Sequence, residues 1–104
     1  MILTTTETIP NAEVVALMGI ARGSTVRSKN AFGDLFAGIK SVFGGELGGY
    51  TKLQADAREQ ALSRLKKDAE KMGANAVIGV RLTTSTITQG ASEILAYGTA
   101  VKIK

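Results

Sequence analysis

The residues that most restrict how this chain can fold are "EVVALMGIARGSTVRS", Glu13 to Ser28. Side chains alternate between the two faces of a β-strand. As a regular strand, Val14, Ala16, Met18 and Ile20 share one face, and Val15, Leu17, Gly19 and Ala21 share the other. A strand that is apolar on both faces has to be covered on both. The chain's own helices can take one face. The other needs a further source of cover, and a second copy of the chain is the readiest.

The surrounding segments supply the rest of an α+β domain. "ILTTTETI" is rich in β-branched residues and ends at the turn pair Pro10-Asn11, so a short first strand is expected there. In "SKNAFGDLFAGIKSVFGG" the side chains of Phe32, Leu35, Phe36, Ile39 and Phe43 recur at helical spacing. Ser28 or Asn30 can cap that helix and Gly44 can end it. Gly33 and Gly38 inside it each cost roughly 1 kcal/mol relative to alanine, which leaves it dependent on packing.

A longer helix is expected from Tyr50 to Met72, with Tyr50, Leu53, Ala57, Ala61, Leu65, Ala69 and Met72 as its buried stripe. Thr51 can cap it and Gly73 stands just past its end. Asp68 falls on the same arc, within reach of Arg64 and Lys71. "ANAVIGVRLTTSTIT" and "SEILAYGTAVKIK" then read as two strands joined at Gln89-Gly90-Ala91. The last strand carries Ala96, Gly98 and Ala100 on one face, small enough for another backbone to approach. The expected architecture is one domain over residues 1–104. It has an antiparallel sheet of about four strands in the order β-β-α-α-β-β, a long helix packed on the sheet and a shorter helix before it.

Composition excludes several functions. The 104 residues contain neither cysteine nor histidine, which removes disulfides, thiolate chemistry and the usual zinc and copper ligands. No apolar run approaches the roughly 18 residues of a membrane span. "MILTTTETIPNAE" has no basic region followed by an apolar one, so a cytoplasmic protein is expected. The net charge is +4, yet Arg22, Arg27, Arg58 and Arg81 are spread along the chain and acidic residues interleave on the long helix. Mixed signs read as a solvated face, so no nucleic-acid partner is expected.

The motifs point the same way. Gly44-Gly45 and Gly48-Gly49 follow a helical segment and no Lys-Ser or Lys-Thr comes after them, so they read as a turn between helices and not as a phosphate loop. Ser63-Arg64-Leu65-Lys66 matches S-x-x-K, but mid-helix and without its companion motifs. The Phe-rich helix could lie in a membrane interface, although such helices usually pack on their own sheet. Glu13, Asp34, Glu46, Glu59 and Glu93 form no ligand loop for a hard cation, and no spacing nominates an acid–base pair. No cofactor is implied.

"GIARGSTVRSKN", "GGELGGYTKLQADARE", "MGANAVIGVR" and "EILAYGTAV", in that order, resemble the YbjQ family of small prokaryotic proteins. The resemblance spans essentially the whole chain. It implies helices on an antiparallel sheet, a cytoplasmic setting and a ring-like homo-oligomer, commonly a pentamer. The role it implies is structural or small-ligand-binding and non-enzymatic. The family label also implies a heavy-metal-binding module as the alternative, against a chain with no Cys or His to serve it. The resembling segments supply Arg22, Arg27, Glu46, Tyr50, Glu59, Arg81 and Glu93 as candidate ligand or subunit-interface residues. Arg81 lies in an otherwise apolar strand and therefore needs a carboxylate or carbonyl partner.

Overall fold

The computed structural model describes residues 1–28, 48–88 and 90–104. The side chains of residues 27, 28, 48–51 and 53 fall outside that description. Its elements are β1 (Ile2–Leu3), β2 (Val14–Ser28), α1 (Gly48–Lys71), β3 (Ala76–Thr88) and β4 (Ala91–Ile103). The shorter helix expected over "SKNAFGDLFAGIKSVFGG" lies outside the described residues.

The four strands form one sheet in the order β1-β3-β4-β2. The sheet is mixed, not antiparallel as expected. β3 and β4 form a hairpin closed at Gly90 (φ 81°), and β2 runs antiparallel to β4, but β1 pairs parallel to β3. The reason lies in the chain between the first two strands. β1 stops at Leu3, and Pro10-Asn11 does not turn it into a hairpin with β2. Residues 4–13 carry the chain to the opposite edge of the sheet instead, the kind of long connection that parallel strands need. Along the way the Thr4 and Thr6 carbonyls accept hydrogen bonds from the Val80 and Gly79 amides at 3.0 and 2.9 Å. Gly79 adopts φ 62°, inside the bulge where β3 shifts register against β4 between Ile78 and Arg81.

The long helix follows its apolar period. Ala57, Ala61, Leu65 and Ala69 are fully buried, and Met72 is partly buried against them. Thr51 lies inside the helix, not at its cap, because the helix begins at Gly48. At the other end Gly73 takes φ 84°. Its amide bonds the Glu70 carbonyl at 3.0 Å, and the Ala74 amide bonds that of Ala69 at 3.1 Å. This pair of bonds is a Schellman motif, which needs a residue tolerant of left-handed backbone.

Small side chains let α1 sit close to the sheet. Its buried alanines face Ala21, Ala96 and Ala100. Gly23 is closer still: a Cβ there would collide with the backbone of Ala61, Arg64 and Leu65. The Gly/Ala face of the last strand thus belongs to the chain's own core, and Gly98 on it gives room to Val77. It is not a surface left for another copy. Burying Leu65, Val77 and Val101 contributes about 1.5–3 kcal/mol each.

One polar group mars this core. Thr25 is 2% exposed, and its hydroxyl has no hydrogen-bond partner among the described residues. Valine has nearly the same shape without the desolvation penalty, so Thr25→Val is expected to stabilise the fold by about 1 kcal/mol in urea denaturation. A variant that loses stability would mean that the hydroxyl is satisfied.

Candidate functional site

Two clusters of polar side chains emerge where the strands pair. The first is a row across the sheet face away from α1. In the β2–β4 and β3–β4 registers, Arg22 and Arg81 both stand opposite Tyr97. Directly opposed residues bring their Cβ atoms to within roughly 5 Å. A central tyrosine, 40% exposed, is therefore flanked by two arginines. Arg81 Nη1 donates to the carbonyls of Thr5 and Val80, each at 2.9 Å. Its expected partner is thus a pair of carbonyls in its own chain, and the bonds tie down the segment after β1. Arg81 also borders an apolar cavity of about 420 Å³ with Leu3, Leu62 and Leu82.

The second cluster is a groove of about 440 Å³ between α1 and β2. β2 is an edge strand, so groups on its outer side have no ladder partner. The helix supplies two. The Arg22 amide donates to Asp68 Oδ2 at 2.9 Å, and Arg64 Nη1 donates to the Ser24 carbonyl at 2.6 Å. The Arg22 backbone borders one side of the groove, with Lys67 and Lys71 on the helix beside Arg64 and Asp68. Three helix cations line it with a single carboxylate.

Of the other expected site residues, Glu59 and Glu93 have described side chains, and these are not drawn into either cluster. Arg27 pairs by its backbone with Ser92, near the end of β2, and Tyr50 lies in the first turn of α1; both side chains fall outside the described residues. Glu46 lies outside them altogether. Glu59 is exposed on α1, and Glu93 is half-buried opposite Val26 and Ser85. Neither borders either cavity. Of the candidates whose side chains are described, only Arg22 and Arg81 share a local arrangement, with Tyr97 between them. Tyr97 and Lys67 were missed because strand register and edge position, not local sequence, place them there. Asp68, Arg64 and Lys71 were read as an intrahelical group, whereas Asp68 and Arg64 reach across to β2.

The heavy-metal reading fits the donors present poorly. The chain has no histidine or cysteine, and no three acidic side chains converge among the described residues. No helix among those residues is long and apolar enough to cross a membrane.

Comparison with known proteins places these features in context. The YbjQ family model, described as "Putative heavy-metal-binding", matches residues 1–104. A UPF0145 protein of Hahella chejuensis is 55% identical over 101 residues, covering 97% of each chain. A UPF0145 protein of Methanosarcina acetivorans is 53% identical over 103 residues, covering 99% of this chain and 97% of its own. The fold is similar to the crystal structure of a protein with unknown function from the DUF74 family of Pediococcus pentosaceus. The TM-score is 0.66 at 16% identity, covering 100% of this chain and 98% of that one. Matched from end to end by the family model and by relatives at about half identity, the chain belongs to the YbjQ family.

Proposed function

We propose that this protein is a cytoplasmic, non-enzymatic homo-oligomer, a pentameric ring of single YbjQ-like domains with a structural or small-ligand-binding role. The observation that carries this reading is the exposure of apolar side chains on β2. Leu17 is 76% exposed and Ile20 61%, with Val15 and Val26 more than half exposed. Isolated apolar residues on a surface are ordinary, but a row of them along one strand marks an interaction surface. That strand is also a long sheet edge without proline or lysine, and outside the stretch held by Asp68 and Arg64 it is a template for pairing with another chain.

The two open edges of the sheet support a ring in particular. β2 lies at one side, and β3 beyond its short pairing with β1 lies at the other, with Leu82–Thr88 free among the described residues. Contacts between unlike surfaces are head-to-tail, and they close into rings when the rotation allows. Arg22, Arg27, Glu46, Tyr50, Glu59, Arg81 and Glu93 would serve as interface or ligand residues in such an assembly. Native mass spectrometry of untagged protein at micromolar concentration should report five subunits, together with any retained ligand. A monomer under those conditions would overturn the reading.

A further inference from the structure

We propose that the groove between α1 and the edge of β2 binds a compact, multiply charged phosphate group, either an inorganic polyphosphate or the phosphate tail of a small metabolite. This rests on the small-ligand arm of the function proposed above and is independent of subunit number. The charge count gives the sign. Arg64, Lys67 and Lys71 against Asp68 leave an excess of two positive charges around one open depression. Like charges crowded together repel, and an anion seated among them relieves that repulsion while gaining charge-assisted hydrogen bonds.

The bonding pattern narrows the occupant. The Arg22 amide and the Ser24 carbonyl, which a docking strand would need, are already engaged by Asp68 and Arg64. This stretch of the edge is therefore closed to strand addition, unlike the apolar stretch around Leu17 and Ile20. A nucleic acid would need a cationic track beyond the groove, and the neighbouring helix surface breaks it with Asp56, Glu59 and Glu70, all exposed. The same Asp68 and Arg64 bonds hold the helix against the strand, so the cavity exists before any ligand arrives. Preformed geometry lowers the cost of binding. Lys67 and Lys71 stand one helical turn apart on the groove wall, where two ammonium groups can close on one phosphate chain.

The test is calorimetric titration of the full-length protein with inorganic triphosphate, with ATP in a parallel series. One triphosphate per chain is expected. Lys67→Gln with Lys71→Gln should weaken binding by about 10-fold or more, the loss of one to two charge-assisted contacts. Lys52→Gln with Lys66→Gln removes the same charge from exposed positions outside the groove and should leave affinity within about twofold. Equal affinity for triphosphate and ATP would identify the phosphate chain as the determinant. Tighter binding of ATP would identify a nucleotide or similar metabolite. No binding of triphosphate, equal weakening by the two double variants, or binding of a short oligonucleotide alone would each overturn the proposal. Native mass spectrometry of the same samples keeps a lost groove distinct from a lost assembly.

Discussion

Replacing Gly23 with alanine is expected to destabilise the protein by about 3 kcal/mol or more, enough to lower Tm by at least about 12 °C in a chain of this size. Gly23 lies on β2 directly beneath α1, and the added methyl would meet backbone, with the Arg64 carbonyl carbon only 2.7 Å away. A flexible side chain can swing aside from such a contact; a helix backbone cannot. α1 would have to lift from the sheet, breaking the packing of Ala57, Ala61, Leu65 and Ala69 along with it. It would also lengthen the Asp68 and Arg64 bonds to β2. Gly98→Ala provides the comparison. Its nearest neighbour is Val77 Cγ1 at 2.7 Å, a side-chain atom, with the Ile78 carbonyl oxygen behind it at 3.0 Å. The loss there should be smaller. Thermal denaturation followed by circular dichroism decides between them, and a Gly23→Ala protein melting within a few degrees of the parent would refute the close helix–strand approach.

The second large effect concerns assembly. Leu17→Lys combined with Ile20→Lys should reduce the proposed ring to single subunits while leaving the secondary structure intact. The regular alternation of a strand would put these two residues on opposite faces. The irregularity between Leu17 and Gly19 instead brings both to the face away from α1, opposite Val101 and Thr99. Because both are exposed in the isolated chain, lysine there costs the subunit itself little. Between copies the same lysines would be buried without partners, a penalty of several kcal/mol per contact. Light scattering reads the mass. If the lysine variant fails to fold, Leu17→Ser with Ile20→Ser should raise the concentration at which subunits separate. An unchanged mass with either pair would remove β2 from the interface.

The same irregularity shows why parts of the architecture were legible in the chain and others were not. The stripe of Ala57, Ala61, Leu65 and Ala69 announces a helix because its period is a local property. Gly73 ends that helix and Gly90 turns the hairpin for equally local reasons, since both need left-handed backbone. The parallel pairing of β1 is not local. It depends on where residues 4–13 deliver the chain, and a two-residue strand carries too little pattern to indicate its neighbour. Arg81 illustrates both sides. Its place in an apolar strand demanded a partner, but that the partner would be the Thr5 carbonyl, 76 residues away, followed only from the fold.

The amino-acid sequence by itself determined the family, the helix and the hairpin, because side-chain period and backbone preference act over a few residues. Tertiary structure decided which faces meet. It spent the Gly/Ala face on the chain's own helix, left Leu17 and Ile20 uncovered among the described residues, and set Arg64, Lys67 and Lys71 beside Asp68 at the edge of β2. Those outcomes depend on register and edge position, which arise from contacts between residues distant in sequence.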